Sequence, residues 1–121
     1  MMKLLEIIDK LNLEVVTGKN YLDRSITHGY ASDLLSDVIA NAESNDIWVT
    51  LQGHPNIVAV ASMKELGGII IVNGRKPEKE TIEKAEKERI PILLSSLPSF
   101  EIVGRLWDLG ISGSPKDAKK I

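Results

Sequence analysis

The feature that most constrains the fold is the apolar run at residues 69–72, which reads Ile-Ile-Ile-Val without a polar interruption. A strand that is apolar at every position must be buried on both faces, which is typical of the middle of a parallel sheet covered by helices. Glycine turns flank the run, with Gly67 and Gly68 before it and Gly74 after it. The sequence therefore predicts a buried central strand and a layered α/β architecture.

Helical and extended segments alternate along the rest of the chain. Apolar residues at helical spacing predict helices that begin near residues 4, 32, 56, 78 and 100. Ser32 is the expected cap of the second helix, whose apolar stripe runs from Leu34 to Ala42, and Trp107 is expected to pack in the core. Further strands are expected at residues 13–16, 47–51 and 90–94. This order favours a layered sandwich with a mostly parallel central sheet of about four or five strands.

Size and composition bound the class of protein. The 121 residues predict a single domain, over residues 1–111, followed by a flexible tail at residues 112–121. A formal net charge of −2 argues against nucleic acid as a partner, and the absence of cysteine removes disulfides, thiolate metal sites and a Cys nucleophile. No apolar stretch is long enough to cross a membrane, and we expect a cytoplasmic protein.

Polar residues follow each predicted strand, where α/β sheets bind their ligands. These ends lie at residues 17–19, 50–54, 73–76 and 95–96, and they are rich in glycine and partly basic. Arg75 is the leading candidate for a phosphate contact, because it follows a buried strand and precedes a helix start. Gln52 and His54 offer a second set of donors.

Residues 23–30 read Asp-Arg-Ser-Ile-Thr-His-Gly-Tyr, and together with residues 50–55 and 72–74 they resemble the DRTGG domain family. The resemblance covers about residues 13–110. Asp23, Arg24, Thr27 and Gly29 match the residues for which the family is named, while His28 stands where the first glycine of the pair is expected. A His adopts a positive φ less readily than Gly, so a backbone conformation at residue 28 that requires glycine is not expected in this chain.

The resemblance implies an accessory, regulatory domain with a fold similar to the N-terminal domain of HPr kinase/phosphorylase. Relatives of this kind accompany CBS domains in pyrophosphatases that respond to adenine nucleotides, and they precede the catalytic region of some phosphate acetyltransferases. The chain has no Gly-x-x-x-x-Gly-Lys-Ser/Thr sequence, so kinase activity is not implied. We expect no enzyme activity, no cofactor and no metal.

The leading hypothesis is a ligand-sensing domain that binds a small phosphorylated ligand such as an adenine nucleotide, at the carboxyl edge of the sheet or at a homodimer interface. The alternative is a protein-interaction module that docks onto a metabolic or redox enzyme and binds no metabolite. For Asp23 and Arg24, a local ion pair or a brace between loops is favoured over direct contact with a ligand. The candidate ligand-binding residues are Thr17, Lys19, Asp23, Arg24, Thr27, His28, Thr50, Gln52, His54, Asn73 and Arg75.

Overall fold

A computed structural model describes residues 1–113, and the part of the predicted tail from residue 114 onward lies outside the described residues. The helices are α1 (Leu4–Leu11), α2 (Leu35–Asn41), α3 (Asn56–Met63), α4 (Lys79–Glu88) and α5 (Ser99–Asp108). The strands are β1 (Met2–Lys3), β2 (Glu14–Thr17), β3 (Ser25–Ile26), β4 (Gly29–Ala31), β5 (Ile47–Thr50), β6 (Gly68–Ile71) and β7 (Ile92–Leu94).

Five strands form one sheet in the order β2-β7-β6-β5-β4. Strands β4 to β7 are parallel to one another, whereas β2 runs antiparallel to β7, with Glu14 opposite Leu94 and Thr17 opposite Ile92. The apolar run forms β6 in the centre of the sheet, where all of its residues are buried. The predicted architecture, a mostly parallel sheet in an α/β sandwich, is confirmed.

Helices cover both faces of this sheet. Side chains from α1 and α5 pack on one face, and those from α2, α3 and α4 pack on the other, which gives two apolar clusters separated by the sheet. Trp48 is fully buried in the second cluster, and its indole N–H donates to the Ser32 carbonyl at 2.8 Å. The short ribbon of β1 and β3 lies outside the main sheet. After α5 the chain returns to the β4 edge of the sheet, where the Ser112 carbonyl accepts a hydrogen bond from the Gly29 N–H at 2.9 Å.

Two local predictions were wrong. The second helix begins at Leu35 with Leu34 as its N-cap, and the Ser32 hydroxyl accepts a hydrogen bond from the Leu34 N–H outside the helix, so Leu34 is exposed rather than part of the buried stripe. Trp107 does not pack in the core. A single helix buries only one stripe, and in α5 that stripe consists of Ile102 and Leu106, which leaves Trp107 on the outside.

Candidate functional site

The direction of β2 separates the predicted ligand-binding residues into two groups. The carboxyl end of β2 meets the amino end of β7, because the two strands are antiparallel. Thr17 and Lys19 therefore lie at the amino edge of the parallel strands, and the expectation that they share an edge with Arg75 was wrong. Residues 23–28 precede β4 and lie at the amino edge as well. Thr50, Gln52, His54, Asn73 and Arg75 lie at the carboxyl edge.

Thr17 joins β2 to β7 at the amino edge. Its side chain is fully buried, its hydroxyl donates to the Ile90 carbonyl at 2.7 Å, and the same oxygen accepts the Ile92 N–H at 2.8 Å. The register between β2 and β7 shifts at this point, so the hydroxyl replaces part of the backbone ladder. Thr17 is thus occupied by the fold, and Lys19 beside it is exposed.

Arg24 connects three loops at the same edge. Its guanidinium donates to the carbonyls of Tyr21, Gly67 and Arg89 at 2.9, 3.4 and 3.3 Å. Partial burial lowers the pKa of Arg24 from its ordinary value. Asp23 is exposed and pairs with Lys3 at 3.1 Å. Arg24 thus acts as a brace between loops, whereas Asp23 pairs with Lys3 and not with Arg24.

Thr27 and His28 complete the amino-edge group. The Thr27 hydroxyl makes only a long contact of 3.5 Å with the Ser44 carbonyl, and the His28 carbonyl accepts the Ile47 N–H at the start of β5. His28 is absent from the non-glycine residues with positive φ in the described chain. The backbone at this position therefore does not require glycine, and the His is accommodated without strain.

Asp33 fixes the Thr50 and Gln52 positions at the carboxyl edge. One carboxylate oxygen of Asp33 accepts from the Thr50 hydroxyl at 2.8 Å and from the Leu51 N–H at 2.7 Å, and the Gln52 amide donates to the Asp33 carbonyl at 3.0 Å. His54 uses Nδ1 to accept the Asn56 N–H at 3.0 Å. These polar groups hold their own loop in shape.

The loop at residues 73–76 differs from its neighbours because its two cationic side chains are exposed and take no part in holding the loop in shape. Asn73 and Gly74 both have positive φ, of 62° and 70°, and their N–H groups donate to the carbonyls of Leu97 and Ser95. The turn is thereby anchored to the end of β7. Within residues 1–113, the side chains of Arg75 and Lys76 make no hydrogen bond or ion pair that meets standard distances.

A cavity of about 490 Å³ opens beside this loop at the carboxyl ends of β6 and β7. Three cationic side chains reach it, Arg75, Lys76 and Arg105, against a single carboxylate from Glu14. Ser95 and Ser96 add hydroxyls, and the apolar wall is supplied by Leu11, Leu94 and Leu97. Such a volume is within the usual range for a small-molecule pocket.

Sequence reasoning missed Arg105. Its position in α5 places it on the same cavity as Arg75 only because α5 packs beside α1 and over β4 and β5, and no local motif marks that contact. Lys76 directly follows Arg75 and belongs to the same predicted phosphate-binding loop. Among residues 1–113, no group of three His, Asp or Glu side chains could hold a metal ion, and no helix there is long and apolar enough to cross a membrane.

The fold and this cavity define a class of protein: a small three-layer α/β domain with a basic pocket at the carboxyl edge of its sheet. The family model of the DRTGG domain matches residues 6–109, so the match spans most of the chain. The chain belongs to the DRTGG domain family.

A solved structure supports the same fold. The regulatory region of a Clostridium perfringens pyrophosphatase, comprising CBS and DRTGG domains and complexed with its activator diadenosine tetraphosphate, aligns with a TM-score of 0.63 at 20% identity. The alignment covers 83% of this chain and 44% of the other, so the chain spans less than half of that regulatory region. No match was found among curated proteins.

Proposed function

We propose that this domain is a regulatory module that binds a small phosphorylated ligand without converting it, in the cavity beside residues 73–76. The observation that carries the proposal is the convergence of Arg75, Lys76 and Arg105 on one cavity in a chain whose formal net charge is −2. A positive cluster on an otherwise slightly acidic protein creates a local field that attracts anions.

The chemistry of the cavity favours phosphate over other anions. A guanidinium can bind a phosphate through two parallel hydrogen bonds, and an ammonium adds a point charge beside it. Arg75 and Lys76 are available for this role because other described residues leave their side chains unpaired. Ser96 would add a neutral donor, and Leu11 and Leu97 offer an apolar surface for the uncharged part of the ligand.

An adenine nucleotide is the first ligand to test. The matched pyrophosphatase region was solved with diadenosine tetraphosphate as its activator, and this chain shares the DRTGG fold with it. The apolar wall of leucines and the three cations fit a ligand that joins a base to several phosphates.

The test is calorimetric titration with ATP, diadenosine tetraphosphate and inorganic phosphate, on wild type and on paired variants. We expect Arg75→Ala to weaken a phosphorylated ligand by about 1.5 to 3 kcal/mol, or roughly 10- to 150-fold, because a charged hydrogen bond is lost. Arg75→Lys should recover only part of this loss, and the wild-type affinity should fall as salt rises.

A matched pair of lysines provides the control. Lys76→Ala should weaken binding, whereas Lys84→Ala should not. Lys84 lies on α4, outside the lining of the cavity, and its ammonium is 4.0 Å from the Glu80 carboxylate. Unchanged affinity of Arg75→Ala for a ligand that binds wild type would contradict the proposed pocket and move attention to residues 52–56. Absence of binding by wild type to all three anions would contradict the function itself.

A protein-interaction module remains the second candidate because α5 exposes large apolar side chains. Phe100 and Trp107 are both largely accessible on this helix, and single soluble domains seldom leave two such residues together in water. The occupant of that face is a separate question from the ligand of the cavity.

A further inference from the structure

The two ends of the carboxyl-edge cavity differ in charge. Its lining comes from the start of β2, the end of β7 and the loop after β6, and β7 lies between β2 and β6 in the sheet. Glu14 and Ile71 both pair with Leu94 from opposite sides, so Glu14 is about 10 Å from β6 at a strand spacing of about 5 Å. The cavity therefore has a carboxylate at the β2 end and the cations of residues 75–76 at the β6 end.

Glu14 is exposed and has no partner of its own in residues 1–113. Three cationic side chains line the same cavity, yet none of them forms an ion pair with Glu14, and its carboxylate accepts no hydrogen bond from the described residues. The cation that is paired, Arg105, contacts Glu101 at 3.4 Å instead. An ionised carboxylate accepts hydrogen bonds and donates none. The β2 end of the cavity thus favours a ligand group that carries N–H or O–H donors, and it repels a second anion.

Apolar side chains lie at the same end as Glu14. Leu94 is directly opposite Glu14 in the pairing of β2 with β7, and Leu11 is the last residue of α1, three positions before Glu14. Both leucines line the cavity. Small-molecule sites combine such apolar walls with a few polar groups that fix the orientation of the ligand. A planar base can lie against the leucines while its edge reaches the carboxylate.

Asn12 adds an amide to this end of the cavity. The residue ends α1 in the left-handed conformation, with φ of 53°, and it lines the cavity between Leu11 and Glu14. Its side chain makes no hydrogen bond with other residues in the described part of the chain. An amide presents one acceptor and two donors, so it can pair with the edge of a base in either of two orientations.

We propose that Asn12 and Glu14 hold the base of a nucleotide, and that Glu14 selects a base with an exocyclic amino group, as in adenine, over one with a carbonyl at that position. This assignment rests on the proposed function, because it requires the phosphates to bind at residues 73–76. The ribose of a nucleotide separates its base from its phosphates, as β7 separates the two ends of the cavity. An amino group donates to the carboxylate, whereas a carbonyl would place two acceptors against each other.

Titration calorimetry with ATP and inosine triphosphate tests the selection, because the second ligand carries a carbonyl in place of the amino group. Wild type should bind ATP at least about tenfold more tightly. In Glu14→Gln the amide can accept from the amino group or donate to the carbonyl, so the two affinities should agree within about twofold. Equal binding of both ligands by wild type, or an unchanged preference in Glu14→Gln, would overturn the proposal.

Glu101→Gln is the matched control for the loss of charge. Glu101 does not line the cavity, but its carboxylate lies 3.4 Å from Arg105, which does. Removing this charge should change the affinities for ATP and inosine triphosphate by the same factor, because both ligands carry the same phosphates. A change in their ratio as large as that in Glu14→Gln would show that charge, and not contact with the base, accounts for the selection.

Dideoxy-ATP, which lacks both ribose hydroxyls, tests whether Glu14 contacts the sugar instead. Ribose hydroxyls are also donors that a carboxylate can accept. We expect the ratio of ATP affinity to dideoxy-ATP affinity to be the same in wild type and in Glu14→Gln. A preference for ATP that wild type shows and Glu14→Gln loses would overturn the assignment of Glu14 to the base.

Asn12→Gly tests the second residue without disturbing the end of α1. Glycine adopts the left-handed conformation readily, so the melting temperature should not fall. Because the amide can turn to face either base, its loss should weaken ATP and inosine triphosphate alike, by about fivefold. Unchanged affinity for both ligands would contradict the assignment of Asn12.

The same titrations distinguish failure of this assignment from failure of the proposed function. Binding of inorganic phosphate without either nucleotide, or equally tight binding of both nucleotides, would contradict base selection and leave the phosphate site in place. Absence of binding to ATP, diadenosine tetraphosphate and inorganic phosphate would contradict the proposed function, and base selection with it.

Discussion

The two edges of the sheet use their polar residues differently. At the amino edge, the side chains of Thr17 and Arg24 donate hydrogen bonds to backbone carbonyls of loops that are distant in the sequence. A cavity of about 420 Å³ lies there too, yet its two arginines, Arg24 and Arg89, are balanced by Glu65 and Glu88. At the carboxyl edge, three cations and one carboxylate line the cavity, and within residues 1–113 Arg105 alone of the three cations has an ion-pair partner, Glu101 at 3.4 Å.

In the site that we propose, the residues that carry the family resemblance are not those that contact the ligand. The Asp-Arg motif at residues 23–24 closes the fold, since Arg24 bonds to carbonyls that precede β6 and β7. The side chains free to contact a ligand come instead from the loop after β6, and Arg105 of α5 lines the same cavity while pairing with Glu101 at 3.4 Å. Substitutions at the amino edge should therefore change stability, and substitutions at the carboxyl edge should change affinity.

The largest expected effect on stability is that of Thr17→Val. Valine matches the shape of threonine but leaves the Ile90 carbonyl and the Ile92 N–H without a partner in a buried site. We expect the free energy of unfolding to fall by about 3 kcal/mol, measured by urea denaturation. Thr27→Val is the matched control and should change it by less than about 0.5 kcal/mol, because the Thr27 hydroxyl makes only one long contact. Equal losses for both variants would contradict this ranking.

Arg24→Ala should have a smaller but clear effect, lowering the free energy of unfolding by about 2 kcal/mol. Three carbonyls lose a charged donor, although two of the bonds are long and partly exposed. The folded variant should bind a phosphorylated ligand as wild type does. Arg75→Ala should show the reverse, with loss of affinity and a stability change below about 0.5 kcal/mol. Loss of both affinity and stability in either variant would contradict the prediction that the amino edge serves stability and the carboxyl edge serves binding.

The smallest effect is a pH dependence at the amino edge. Burial raises the pKa of Asp46, whose Oδ1 has no partner among residues 1–113 while Oδ2 accepts the Glu43 N–H at 2.8 Å. The native state then holds this proton to a higher pH than the unfolded state does. Stability contributed by Asp46 is therefore full below the ordinary Asp value of about 4 and is lost as the pH rises through the raised pKa.

The variant Asp46→Asn isolates this contribution, because asparagine can still accept the Glu43 N–H but does not titrate. The difference in unfolding free energy, wild type minus variant, should decrease as the pH rises from about 4 toward neutrality. Other carboxylates, such as Asp37, whose pKa is lowered by hydrogen bonds from Ser32, Tyr30 and Asn41, are common to both proteins and cancel. A difference that is constant with pH would show that Asp46 does not titrate there.

The amino-acid sequence by itself determined the layered architecture and the family. The apolar run of β6 can be stable only between two helical layers, and helical periodicity placed all five helices, including α1 with its end at Asn12 in a left-handed conformation. The sequence also singled out Arg75, because a charge directly after a buried strand must lie at the carboxyl edge of a parallel sheet.

Only the tertiary structure decided which strand ends share an edge and which helix faces are covered. A short strand has the same pattern of side chains whether its neighbour runs parallel or antiparallel, so nothing local to residues 13–19 could place Thr17 and Lys19 away from Arg75. In the same way, apolar spacing in α5 predicted a buried Trp107, but the sheet accepts only the stripe of Ile102 and Leu106. Strand direction and helix rotation depend on contacts between residues far apart in the chain, and local periodicity carries no information about them.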